Sequence, residues 1–243
     1  MRIVVVNPNT TAAMTEGIGR AARAVASPGT EIVAVNPVDG PASIEGYYDE
    51  VFSVPGLLAE IAAHPDADGY VVACFDDSGL DAARSATARP VIGIGEAGYH
   101  VASMVSGRFG VITTLARSIG ALEGNLLKYG LDRRCCGVRA VDLPVLALHD
   151  DPALTRARIG AGIEAAKAED RAEAIVLGCA GMADLAADLT SRHGLPVIDG
   201  VAAAVKLVEA LVGLGVSNCR IGGYAPPLPK HYAGAFARFA PSE

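Results

Sequence analysis

The chain has 243 residues, 51% of them apolar and 19% charged, which is enough for a sizeable core and too little charge for a disordered chain. Its length suits one large domain or two of about 100–120 residues each. Twenty basic against 27 acidic residues leave a net charge of −7 with no Lys/Arg cluster, and aromatics are 5% with no Trp, so nucleic acid is not an expected partner.

Taken in chain order, short apolar runs alternate with longer Ala-rich segments, the rhythm of an α/β protein. Buried parallel strands are predicted at Ile3–Val6, Ile32–Val35, Tyr70–Ala73, Val91–Ile94, Phe109–Ile112, Val138–Val141, Ile175–Leu177 and Pro196–Ile198. Helices are predicted at Thr11–Val25, Val54–Ala63, Ser118–Tyr129, Leu154–Glu169 and Val201–Leu214, with further helix starts near Ser78 or Gly79 and near Gly181. The segment 40–49, containing Tyr47, reads as a loop that covers a site or simply connects. No apolar run approaches the roughly 18 residues of a spanning helix, and MRIVVVNPNTT is a poor signal peptide. No membrane association is expected. Five scattered cysteines without a CxxC pair fit reduced thiols in a cytoplasmic protein, and they support neither a disulfide framework nor zinc.

The two halves of the chain repeat one another. Cys74 and Cys179 end similar apolar runs 105 residues apart, while Pro90-Val91-Ile92 and Pro196-Val197-Ile198 match at an offset of 106. Ala34-Val35-Asn36 against Ala140-Val141-Asp142, and Val4–Asn7 against Gly110–Thr113, repeat at 106 as well. Two pseudo-symmetric subdomains follow, each a four-stranded parallel sheet flanked by helices. Ligands of such sheets bind beyond the carboxyl ends of the strands, which places the site in the cleft between the halves. Cys74 and Cys179 then face one another there, with Asn7 and Thr113 at equivalent strand tips.

Two opposed thiols suit proton removal alpha to a carbonyl from one face and proton return from the other. Such an inversion requires no metal, flavin or pyridoxal if fixed N–H donors hold the carbanion charge. Helix starts after each cysteine would lower its thiol pKa, although Asp76 and Asp77 oppose this at Cys74. A buried strand-end cysteine is also an ordinary small hydrophobe, and a redox pair is a rival use of two thiols. Cys135, Cys136 and Cys219 are read as structural. Gly93-Ile94-Gly95-Glu96-Ala97-Gly98 matches GxGxxG, but it follows the fourth strand of its unit, and no acidic residue stands about 20 positions on, so dinucleotide binding is not expected. Asn7-Pro8-Asn9 and Thr113-Thr114 are turn and cap residues that also offer neutral hydrogen-bonding groups to a ligand without formal charge.

The segments VVNPNTT (5–11), GPASIEGYYDE (40–50), ACFDDSGL (73–80), VITTLARS (111–118), DLPVLAL (142–148), VLGCAGMADL (176–185) and PVIDGVAAAVKL (196–207) resemble the hydantoin racemase branch of the aspartate/glutamate racemase superfamily. The resemblance implies a cofactor-independent racemase of 5-substituted hydantoins or of allantoin, with Cys74 and Cys179 as the acid/base pair. It implies a first subdomain of residues 1–97 plus 205–243 and a second of 98–204. Expected substrate contacts are Asn7, Pro8, Asn9, Tyr47, Phe75, Asp76, Thr113, Thr114, Gly178, Ala180 and Gly181, with backbone N–H groups near Asn9, Phe75, Thr114 and Ala180 holding the ring carbonyls. The partner is a small hydantoin-type ring, and a homo-oligomer is expected. Amino-acid racemases of the superfamily typically continue from the first cysteine with Asn-Thr, where this chain has Phe75-Asp76, and arylmalonate decarboxylases lack the first cysteine. An enzyme of either kind on the same scaffold is the nearest alternative. A non-catalytic, two-lobed small-molecule binding protein is the alternative of another class.

Overall fold

A computed structural model describes residues 1–241. The first half supplies strands β1 (Arg2–Val6), β2 (Glu31–Val35), β3 (Gly69–Val72) and β4 (Val91–Gly93), and the second supplies β5 (Phe109–Thr113), β6 (Cys135–Ala140), β7 (Ala174–Gly178) and β8 (Val197–Asp199). All pair in parallel, in the orders β2-β1-β3-β4 and β6-β5-β7-β8. The order is the same in both sheets, as the internal repeat requires. Each predicted strand is present within a few residues of its expected limits.

Alternation along the strands builds the layers. Ile3 and Val5 of β1, Val71 of β3, Val111 of β5 and Val176 of β7 point into one core shared by both sheets. The intervening Val4, Val6, Tyr70 and Val72 pack on the far side of the first sheet, and Ile112, Ile175 and Leu177 on the far side of the second. Each such side chain, fully buried, contributes about 1.5–3 kcal/mol relative to exposure. Of the helices, α1 (Ala12–Val25) turns Met14, Ile18 and Ala22 inward at a spacing of four, and α2 (Tyr47–Ala63) covers the outer face. The short α3 (Leu80–Ala86) follows β3, and α4 (Ile94–Val105) follows β4 without a loop. In the second half come α5 (Ile119–Lys128), α6 (Pro152–Glu169), α7 (Ala186–His193) and α8 (Gly200–Gly213). Helix α8 returns to pack on α4, α1 and β3, its start capped by Asp199, which accepts from the Val201 and Ala202 N–H groups at 2.9 Å.

Two expectations need correction. Helix α2 begins at Tyr47 rather than Val54 and runs through Pro55. Gly46 (φ +112) makes the turn into it, and Asp49 and Glu50 sit favourably in its first turn. Near Gly181 the chain makes a 3-10 turn, Ala180–Leu185, before α7. The glycine-rich stretch at 93–98 is a helix start, and its anion is the chain's own Asp77. That carboxylate accepts from the Gly95 N–H at 3.0 Å and the Glu96 N–H at 2.7 Å. A Cβ at Gly93 would collide with the Asp77 carboxylate, and one at Gly95 with the Phe75 carbonyl.

Candidate active site

The loop 73–79 after β3 is held from two sides. Asp77 takes an unusual φ of +51° that aims its carboxylate at the start of α4, where the Tyr129 hydroxyl also donates to it at 2.8 Å. Asn125 of α5 donates to the Asp76 carbonyl at 2.7 Å. The Phe75 ring stands edge-on to Tyr99, with centroids 5.3 Å apart, and Tyr99 stacks on Phe109 of β5. The loop bearing Cys74 is thus fixed by groups from both halves of the chain.

Cys74 and Cys179 line one small pocket at the carboxyl ends of the strands. Asn7, Asn9, Phe75, Asp76, Thr113, Thr114, Gly178 and Ala180 line it as well, so ten of the expected residues come together. Pro8 is buried beside this group without lining the pocket. Tyr47 does not line it either. It is 64% exposed at the start of α2, because the helix begins seven residues earlier than expected. Gly181 faces a neighbouring groove, and its backbone N–H serves the Cys179 sulfur instead. Met14, Ile44, Ala73, Ser118 and Val145 complete the lining and were not expected from the sequence. Ser118 closes the motif that begins at Thr113-Thr114. Ile44 and Val145 are brought in by loops whose folding carries no local signature.

Much of the expected polar lining serves the protein itself. The Asn7 side chain donates to Asn9 Oδ1 at 2.9 Å and to Thr15 at 3.0 Å, and Asn9 Oδ1 also takes the Thr11 N–H at 2.9 Å. The Asn9 N–H lies 3.4 Å from Asn7 Oδ1, and Thr113 Oγ1 donates to the Gly178 carbonyl at 3.3 Å. These bonds set the shape of the strand ends. No Lys or Arg is among the lining residues described.

The thiols differ from expectation. Burial, then the nearby Asp76 charge, push the Cys74 thiol well above its usual value, although Ser78 Oγ lies 3.6 Å from the sulfur and favours the thiolate. Burial likewise pushes Cys179 up to about 12, with Asp76 and Glu45 adding to it and the Gly181 N–H opposing. The expected backbone donors are present, but desolvation of a buried thiolate outweighs them. Both groups are therefore biased toward the neutral thiol.

Two parallel sheets of identical order, with one cysteine beyond the central β3 or β7 of each and both in one pocket, define an α/β isomerase scaffold of the racemase type. The Asp/Glu/Hydantoin racemase family profile matches residues 3–208, and the chain belongs to that family. It is 52% identical over 236 residues to a hydantoin racemase of Rhizobium meliloti, covering 96% of this chain and 98% of the relative. The solved allantoin racemase from Klebsiella pneumoniae is 48% identical, superposes with a TM-score of 0.96 and covers 100% of both chains. An allantoin racemase from Pseudomonas fluorescens is 41% identical with a TM-score of 0.94, over 96% of this chain and 100% of that one. The chain is accordingly a racemase, an isomerase by class.

Proposed function

We propose that the protein racemises 5-substituted hydantoins, allantoin among them, at ring carbon C5 without a cofactor, using Cys74 and Cys179 as opposed acid and base. The observation that carries this reading is the joint presence of both cysteines in one pocket with a lining free of Lys and Arg among the described residues. A dicarboxylate or amino-acid substrate calls for cationic partners, whereas a neutral ring calls for amides, hydroxyls and backbone N–H groups. The names of the relatives, hydantoin racemase and allantoin racemase, support the same substrate class.

In each turnover one sulfur, its own proton having first left to solvent, takes the C5 proton as thiolate, and the electron pair left on carbon delocalises into the adjacent ring carbonyl as an enolate. The opposite thiol then gives its proton to the other face of C5 and becomes the thiolate, ready to act on the opposite enantiomer. Asn9, Phe75, Thr113, Thr114, Gly178 and Ala180 would orient the ring.

The division of the chain into residues 1–97 plus 205–243 and 98–204 belongs to the same reading, with α4 and α8 carrying the chain between lobes. A cytoplasmic setting fits five free thiols. Exposed Val51 and Phe52 on α2, and Ile221 and Leu228 beyond α8, fit burial in a homo-oligomer. Among the described residues no helix is long and apolar enough to cross a membrane.

Polarimetry on single enantiomers of allantoin, a phenylalanine-derived hydantoin and glutamate, with carbon dioxide release measured for an arylmalonate, tests the proposal. Loss of rotation with either hydantoin-type ring, and none with glutamate, is the expected result. Turnover of glutamate or the malonate alone would overturn it.

A further inference from the structure

We propose that Asp76 binds the substrate as a neutral carboxylic acid, donating a hydrogen bond to the ring carbonyl oxygen that becomes the enolate. This deepens the racemase reading and rests on it. Asp76 is 9% exposed and lines the pocket with both cysteines. Its Oδ2 is fully buried with no hydrogen-bond partner among the described residues. Its main chain, by contrast, is fixed through the Asn125 contact, and the next residue, Asp77, is pinned to α4. A rigid loop therefore carries an uncommitted carboxyl group in the lining of the pocket that holds both thiols. A buried polar atom left without a partner is costly unless a ligand completes it.

The surroundings select the neutral form. Facing Asp76 are Glu50 from α2, Asp77 and Cys74 from its own loop, Tyr99 from α4 and Cys179 beyond β7, each acidic or neutral. Burial first, then the Glu50 and Asp77 charges, push its carboxyl up to about 7. A carboxylate here would repel both the enolate oxygen and the thiolate, and its charge raises both cysteines. A carboxylic acid removes that repulsion and supplies a donor where charge develops. The proton stays on Asp76 throughout, so the cysteine-to-cysteine proton balance is unchanged.

The test compares the wild type with Asp76→Asn and Asp76→Ala in kcat/KM between pH 5.5 and about 9, on whichever ring of the panel is racemised. Since thiolate gains with pH are offset once Asp76 ionises, the wild-type profile climbs to near neutrality and then flattens. Asp76→Asn keeps an N–H donor that does not titrate, so it stays within about tenfold of wild type at the acid end and continues to climb. Asp76→Ala loses about 100-fold. Wild-type kcat/KM in Asp76→Ala, or flattening of Asp76→Asn at the wild-type pH, would overturn the proposal. Iodoacetamide alkylation of Cys74 and Cys179 against pH provides a readout independent of substrate. Both titrations should move down by about one unit in Asp76→Asn, and no movement in either would overturn the proposal. If the wild type racemises no ring in the panel, the substrate reading fails on its own, and the alkylation arm still decides whether Asp76 charges beside the thiols.

Discussion

Glu45 Oε1 accepts a hydrogen bond from the Val145 N–H at 2.9 Å, joining the loop after β2 to the loop after β6. Val145 and Ile44, the neighbour of Glu45, both line the pocket, so the bond ties together two parts of its wall from the two halves of the chain. Glu45→Ala leaves the Val145 N–H without its charged acceptor, a loss of about 1.5–3 kcal/mol if the loop finds no replacement. Steady-state kinetics should show KM rising roughly 10-fold or more with a smaller change in kcat. An unchanged KM would show that the loop closes without this bond.

Among the described residues, Ser78 is the one side chain in contact with the Cys74 sulfur that favours its ionisation. Removing the hydroxyl in Ser78→Ala raises the Cys74 thiol further and leaves Cys179 as it is. Alkylation of Cys74 at pH 8 should slow about 3–10-fold, read by mass spectrometry of the labelled peptides, with Cys179 labelling at its wild-type rate.

Gly95 allows the Phe75 carbonyl and the Asp77 carboxylate to approach the start of α4. Gly95→Ala must displace the cysteine loop, at a cost of about 1–3 kcal/mol in thermal or urea unfolding. Activity should fall with it, because Cys74, Phe75 and Asp76 ride on that loop. A substitution of Gly124, where nothing lies within 4 Å of an added Cβ, is the matched control.

Glu209 ties α8 to the turn before β2. It accepts from the Ser27 N–H at 2.7 Å, the Ser27 hydroxyl at 2.8 Å, Thr30 at 2.7 Å and Lys206 at 2.8 Å. Burial alone would raise its carboxyl, but these donors more than offset that and hold it at about 2. A lowered acid stabilises the fold above its ordinary value of 4.5, and that contribution disappears as pH falls from there through about 2. Glu209→Gln should be less stable than wild type by about 1–3 kcal/mol at pH 7, and the gap should narrow on acidification.

The strands were legible because Val4–Val6, Val71–Val72 and Val176–Leu177 lie in continuous apolar runs, and because the repeat fixed which runs correspond. Helix α4 escaped notice because Gly95 and Gly98 depress its intrinsic propensity; Asp77 from another loop and packing on α8 sustain it. The cysteines and the strand-tip Asn7 and Thr113 share the pocket that their repeat-equivalent positions predict, whereas Asp76 enters the expected contacts only through the family resemblance. Tyr47 was misplaced because Pro55 marks an apparent helix start where the helix in fact continues. The opposing charges of Asp76 and Asp77 at Cys74 were legible, but the burial that dominates the shift at both thiols was not. Local backbone donors are written in the sequence, whereas burial depends on Ile44, Val145 and the loops that bring them over the pocket.

Racemisation of one hydantoin enantiomer in heavy water, stopped at low conversion, tests the two-cysteine account most directly. The account predicts inverted product carrying deuterium at C5 while recovered substrate keeps its protium, with both Cys74→Ser and Cys179→Ser unable to invert the centre. Inverted product without deuterium, or full racemisation by either variant, would contradict it.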